Sequence, residues 1–237
     1  RCKKIVLGVS GGLDSALALI VAVETFRKLG YDAQDILALT MPGFGTTGRT
    51  KGNAEKLCEG FGVTLEAVDI TASVKSHFSD IGHDESVKDV TYENAQARAR
   101  TFILMDKANM TGGIVIGTGD LSEIALGWST YNGDHMSMFA VNSGVPKTVV
   151  RRVCAWWAAR NPGKAAQAVL DIIATPVSPE LVKGQVTEDK IGPYELHDFF
   201  LWNFIVNEMG SKDLRIAAEK RFAGVYSPET VAGTLEI

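Results

Sequence analysis

Cysteine is scarce. Cys2, Cys58 and Cys154 are the three in 237 residues, far apart and without paired spacing. That excludes a disulfide scaffold and a zinc site of paired cysteines, and it fits a reducing compartment. The three read as small buried hydrophobes. Long apolar runs are also missing. The longest clean one, Ala16–Val23, is far too short to span a bilayer, and no signal-peptide pattern appears. The expectation is a cytoplasmic chain with no membrane partner. Nor is there an excess of basic residues: 24 Lys and Arg against 28 Asp and Glu give a formal charge of -4, which argues against a nucleic-acid partner. Internal repeats and low-complexity tracts are absent. The first residue is Arg1 rather than methionine, so the expectation is a piece of something longer.

What is present suits one large domain over 1–237. Hydrophobic residues at 46% and charged ones at 22% are ordinary for a globular protein and enough for a full core. Ile5–Val9, Ile36–Met41, Leu65–Ile70 and Ile114–Thr118 read as short strands. Residues 13–29, 50–61 and 90–110 read as helices between them, with a short one at Asp120–Leu126. Gly30 is a C-cap, Thr50 an N-cap, and Gly60 or Gly62 ends the second helix. Strands alternating with helices predict an α/β fold, a doubly wound parallel sheet of the Rossmann-like kind. Ligands in such sheets bind beyond the carboxyl ends of the strands, so the loops starting at Ser10, Pro42, Thr71 and Gly119 should line a site. Val149–Ala159, Tyr194–Val206 and Asp213–Phe222 read as further helices. The stretch 175–193, with three prolines and two glycines, reads as a loop.

The first strand runs into Gly8-Val9-Ser10-Gly11-Gly12-Leu13-Asp14-Ser15. Glycines let the backbone turn tightly and approach a ligand. Exposed amides at the helix start, with the helix dipole, make an anion site. No lysine lies in the loop, which rules out the nucleotide motif ending in Gly-Lys-Ser/Thr, and the glycines are not spaced for a dinucleotide fingerprint. Asp14 sits inside the anion pocket, where a carboxylate tolerates phosphate only with a cation between them. Magnesium, with its preference for oxygen ligands, is the natural bridge. The plainer alternative is a glycine turn with Asp14 favouring a helix N-terminus.

The fourth strand leads into Thr118-Gly119-Asp120-Leu121-Ser122-Glu123. Thr118 falls at the carboxyl end of the strand, and Glu123 lies about one helical turn beyond Asp120. A second carboxylate there could share magnesium with Asp14 or touch substrate; a solvated acidic first turn is the bland alternative. Trp128-Ser129-Thr130-Tyr131 could clamp a ring and its ribose, or simply pack. Lys147 could neutralise phosphate, or lie on the surface. Asn94 and Arg98 share a face of the 90–110 helix, and Arg98 can grip a carboxylate or phosphate in two places, while Arg100 points elsewhere. His135 reads as structural.

Ser-Gly-Gly-x-Asp-Ser resembles the pyrophosphate loop of N-type ATP pyrophosphatases, the adenine nucleotide alpha-hydrolase-like fold group. Glu93–Arg100, Gly117–Glu123, Leu126–Tyr131, Gly133–Ser137, Val145–Thr148 and Lys190–Tyr194, taken in order with that loop, resemble NAD synthetases, specifically the synthetase half of the glutamine-dependent type. The resemblance implies a ligase that amidates deamido-NAD with ATP through an acyl-adenylate, releasing pyrophosphate and AMP. It implies Gly8–Ser15 and Thr118 for ATP, and Asn94, Glu123, Trp128, Ser129, Thr130, Tyr131 and Lys190 for deamido-NAD. The pattern of the compact, ammonia-dependent form adds Asp14 and Glu123 for magnesium, Lys147 for ATP and Arg98 for the substrate, leaving Glu123 with two roles. The catalytic set is then Asp14, Glu123 and Lys147. Ammonia comes free or from a glutaminase domain, for which this chain has no room before its first strand; a homo-oligomer is common in the family. The 175–193 loop is a candidate lid carrying Lys190. Alternatives are a GMP synthetase-like or tRNA-thiolating relative, or a non-catalytic nucleotide-binding module.

Overall fold

Ile5, Val6 and Leu7 point to alternate sides of one strand, and both sides are buried. That two-sided burial marks a parallel sheet covered by helices on both faces. The computed structural model describes residues 2–46, 48–174 and 187–237. Its strands are β1 (Ile5–Gly8), β2 (Ile36–Thr40), β3 (Thr64–Ala67), β4 (Ile114–Gly117) and β5 (Phe139–Ala140). They pair in parallel in the order β3-β2-β1-β4-β5. Ile5 faces Ile36 on one side and Ile114 on the other.

The helices are α1 (Leu13–Leu29), α2 (Gly48–Phe61), α3 (Thr71–Ile81), α4 (Val90–Thr111), α5 (Leu121–Ala125), α6 (Lys147–Arg160), α7 (Lys164–Ile173), α8 (Glu188–Ile191), α9 (Tyr194–Asn207), α10 (Ser211–Arg221) and α11 (Pro228–Leu235). On one face Ile5, Leu7, Ile36 and Ala38 pack against α1, α2, α6 and α7. On the other Val6, Leu39 and Val115 pack against α3 and α4. Residues such as Leu7, Leu19, Ile36, Leu39 and Leu57 are fully enclosed, each contributing roughly 1.5–3 kcal/mol. A third cluster joins Leu196, Phe200, Leu214, Phe222 and Val231 of α9, α10 and α11. Among the described residues no helix is long and apolar enough to cross a membrane.

Several local expectations change. Helix α2 starts at Gly48, so Thr50 lies within its first turn and is not the cap. Gly62, at φ 69°, ends α2. Gly60 serves packing instead, because a Cβ there would come within 2.6 Å of the Ala165 backbone in α7. The chain after Thr71 is helix α3 rather than a site loop; it begins where Asp69 accepts the Thr71 amide at 2.7 Å and buries only Val74 and Phe78. Strand β3 stops at Ala67, although the amides of Val68 and Ile70 still bond to Thr40 and Pro42. Helix α7 and the two-residue β5 were not expected. Of the 175–193 loop, 175–186 lie outside the described residues, and Glu188–Ile191 is helix α8.

Candidate active site

The order of strands reverses direction between β1 and β4: β2 and β3 lie to one side, β5 to the other. This is the switch point where open parallel sheets leave a crevice. The β1 loop turns there through Gly11, at φ 88°, a left-handed conformation that a side chain would strain. Gly12 then caps α1. The hydroxyl of Ser10 accepts the Gly12 amide at 3.2 Å, and Ser15 donates to the Gly12 carbonyl at 3.0 Å. The amides that follow belong to the first turn of α1, and Asp14 stands among them.

Three helices begin at this point. Asp14 lies in the first turn of α1. Asp120 is the N-cap of α5, its Oδ1 accepting the Glu123 amide at 2.9 Å, and Glu123 is in the first turn. Lys147 opens α6. Its ammonium sits 2.8 Å from Asp14 Oδ2, 2.8 Å from Asp120 Oδ2 and 2.7 Å from Glu123 Oε1, with the lysine only 4% exposed. Asn142, almost fully buried, ties the first turn of α1 to the end of β4, donating to the carbonyls of Asp14 at 2.9 Å and Thr118 at 3.0 Å.

Burial alone would depress the Lys147 ammonium, but Asp14, Glu123 and Asp120 outweigh it and hold it well above the ordinary lysine range. The carboxylates are displaced too. Burial pushes Asp14 and Glu123 up, with Lys147 offsetting part of it. Asp120 is pushed to about 6, by burial first and by the neighbouring Asp14, against the pull of Lys147. Three carboxylates against one ammonium leave a net negative pocket. Asp14 Oδ1 is buried without a hydrogen-bond partner among the described residues, and Asp120 Oδ2 faces the shared Lys147 ammonium at 2.8 Å. One oxygen from each of Asp14, Asp120 and Glu123 can lie within 4.8 Å of the others. That oxygen set, short of positive charge and of donors, fits a hard divalent cation.

A cavity of about 430 Å³ opens beside this cluster, bounded by Gly8–Ser10, Asp14, Ser15, Thr40–Pro42, Thr118, Glu123 and Gly127–Thr130. One wall is a stripe of α4: Glu93, Asn94, Ala97, Arg100, Thr101 and Leu104, spaced as one helical face. Asn94 accepts the Thr130 hydroxyl at 2.7 Å. Arg100 is on this stripe, contrary to expectation, and donates to the Met41 carbonyl at 3.1 Å. Arg98 falls just off it: exposed, it donates to the Tyr131 carbonyl at 3.1 Å. Tyr131 itself is 73% exposed and stacks on His135, whose Nδ1 meets the Thr130 carbonyl at 2.7 Å. Trp128, Ser129 and Thr130 line the cavity, and Lys190 reaches over the Trp128 ring, 5.9 Å from its centre.

The family model described as NAD synthase matches residues 1–226. This chain belongs to the NAD synthase family. A glutamine-dependent NAD(+) synthetase of Mycobacterium leprae is 47% identical over 230 residues, covering 90% of this chain and 33% of that protein. The chain thus spans about a third of the length of that relative. The structure of a glutamine-dependent NAD+ synthetase from Acinetobacter baumannii in complex with ADP aligns with a TM-score of 0.67 at 28% identity, covering 99% of this chain and 40% of that one. A glutamine-dependent NAD(+) synthetase from Cytophaga hutchinsonii shares the fold with a TM-score of 0.80 at 19% identity, covering all of this chain and 44% of that one.

In this member of the NAD synthase family the structure adds residues to those read from sequence. Asp120 joins Asp14 and Glu123 around Lys147; its place three residues before Glu123 was visible, its role as N-cap of α5 and its inward carboxylate were not. Arg100 could have been found from the stripe Glu93, Ala97, Arg100 and Leu104. Asn142 carries no sequence signal, since its partners lie 128 and 24 residues away.

Proposed function

We propose that this NAD synthase domain joins ammonia to the nicotinate carboxylate of deamido-NAD at the expense of ATP. One observation carries the reading: Lys147, buried among Asp14, Asp120 and Glu123 where three helices begin, at the edge of a cavity walled by the Ser-Gly-Gly loop. The substrate carboxylate attacks the α-phosphorus of ATP, and the bond to the β-phosphate oxygen breaks. Ammonia then attacks the acyl carbon of the adenylate, AMP leaves, and a proton is lost to give the amide. The amides of Gly11–Ser15 and the hydroxyls of Ser10 and Ser15 receive the departing pyrophosphate. Lys147 neutralises charge building on the α-phosphate, a fixed charge in a water-poor site. Thr118 borders the ATP, while Asn94, Arg98, Trp128, Ser129, Thr130, Tyr131 and Lys190 hold deamido-NAD. Asp14, Asp120 and Glu123 would hold Mg2+, which when bound supplies positive charge to the triphosphate. A cation held there would leave the Lys147 ammonium less tightly paired with those carboxylates and available to phosphate.

The relatives' name supports ammonia from glutamine, made in a part of the protein outside residues 1–237, which act as one amide-forming unit. A thiolating relative is disfavoured: Cys58 and Cys154 are buried and their thiols are pushed up to about 12 by that burial, while Cys2, exposed rather than buried as read from sequence, does not border the cavity. A module that merely holds nucleotide has no use for a buried ammonium among three carboxylates.

The Asp14→Asn variant tests the assignment. It should keep its fold by circular dichroism and lose pyrophosphate release in the presence of ATP, Mg2+ and deamido-NAD, a loss on the order of 3 kcal/mol of transition-state stabilisation or more. A variant as active and as magnesium-dependent as the wild type would sink it.

A further inference from the structure

Helix α6 starts without a cap of its own. Its N-cap residue is Pro146, which has no side chain able to accept a hydrogen bond. Yet every amide of a first turn needs an acceptor when buried. The amides of Val149 and Val150 both go to the Pro146 carbonyl at 2.9 Å. The other two leave the helix. Lys147 N donates to the Ser122 hydroxyl at 3.0 Å, and Thr148 N donates to Asp198 Oδ2 at 2.7 Å. Ser122 in turn donates to Asp198 Oδ1. Ser122 is fully buried and Asp198 nearly so. One carboxylate from α9 therefore closes the N-terminus of α6 from two sides, directly and through a serine of α5.

The consequence falls on Lys147. It is the first residue of α6, so the two amides fixed by Ser122 and Asp198 bracket its Cα. The same helix α9 offers Tyr194, four residues before Asp198 and on the same face, whose ring centre lies 5.4 Å from the Lys147 ammonium. Helix α5 is stitched in as well, because Leu121 N donates to the Val145 carbonyl at 3.1 Å. The negative charge of Asp198 at a helix N-terminus is electrostatically favourable, and so has no need of a cation partner.

We propose that Asp198 is a positioning residue. It sets Lys147 against Asp14, Asp120 and Glu123 by capping α6 through Ser122 and the Thr148 amide. Asp198 reaches none of the cavity-lining groups itself. It makes the C-terminal helical cluster, formed around Leu196, Leu214 and Phe222, a support for the reacting centre rather than an appendage. As a statement about rate this rests on the amidation proposed above. As a statement about the place of Lys147 it does not.

The experiment uses the 237-residue chain with 15N in its lysine side chains. A buried, ion-paired ammonium gives an exchange-protected signal, assigned by its loss in Lys147→Arg. The variants are Asp198→Ala, Ser122→Ala and, as a control in the same cluster without contact to the relay, Leu214→Ala. We expect Asp198→Ala to lose or strongly shift the Lys147 signal. Its kcat for NAD formation should fall about tenfold to a hundredfold, the scale of a small misplacement, with KM for ATP changed by less than about threefold. Ser122→Ala should show a smaller change in the same direction, and it decides the matter if Asp198→Ala fails to fold. Leu214→Ala should keep the signal and kcat at temperatures where it is folded. An Asp198→Ala or Ser122→Ala chain with an unchanged Lys147 signal overturns the proposal, as does an equal loss in Leu214→Ala. A wild type that makes no AMP defeats the amidation reading alone, since the signal still decides whether Asp198 positions Lys147.

Discussion

Lys147 gives up its hydration to lie among three carboxylates, and the arrangement is uneven: one positive charge faces up to three negative ones. Removing one partner of a buried charge group typically costs about 3 kcal/mol or more, because charge is left uncompensated. Lys147→Met should therefore lose about 3 kcal/mol of stability at pH 7.5. The loss should shrink near pH 5. Asp120 is already pushed to about 6 with the lysine present. A folded pKa above the unfolded one means that protonation favours the fold, so this contribution is full below about pH 4 and lost as pH rises through 6. Without the lysine, protons replace part of the missing charge at the lower pH. Urea unfolding at the two pH values checks this, and equal losses would contradict it. At this scale the sequence was most legible where chemistry is local. Asp14, Thr118, Asn94, Glu123 and the Trp128–Thr130 run border one cavity. Asp198 and Asn142 were illegible because their partners come from 24 to 128 residues away, and a buried Asp on a helix looks in sequence like any surface Asp.

Three helix N-termini meet around one ammonium, but the first turn of α6 is closed by Ser122, Asp198 and Pro146 and that of α5 is capped by Asp120, which leaves the β1–α1 turn to face an anion. The β1–α1 turn makes this possible only because Gly11 takes φ 88°. Gly11→Ala should cost about 1–2 kcal/mol of stability from the left-handed conformation alone. It should also weaken ATP binding, seen by calorimetry, because the turn relaxes away from the phosphates. Unchanged affinity would mean that the loop does not carry them. Long helices with a glycine or proline at one end, such as α1, α4 and α9, were readable to within two residues. Helix α3 was missed because it buries only Val74 and Phe78 and is otherwise polar. Strand β5 was missed because two residues carry no alternation. The Arg98 and Arg100 reversal has the same geometric root: the pair Asn94 and Arg98 shares a face, but the buried stripe is centred between Ala97, Thr101 and Leu104, which places Arg100 inside its edge.

Across the molecule, the chain has the NAD synthase fold over a span that is 33% of its M. leprae relative. The sheet supplies the crevice at its switch point, the two packed faces hold the strand ends in register, and the α9–α11 cluster presses Asp198 and Tyr194 against α6. The proposed chemistry places everything except the making of ammonia within these residues. One incubation tests this most directly: the isolated chain with ATP, Mg2+, deamido-NAD and an ammonium salt, with glutamine in a parallel tube. AMP, pyrophosphate and NAD should form in equal amounts from ammonium, and none of them from glutamine. Binding of ATP without AMP or NAD in the ammonium tube would contradict it.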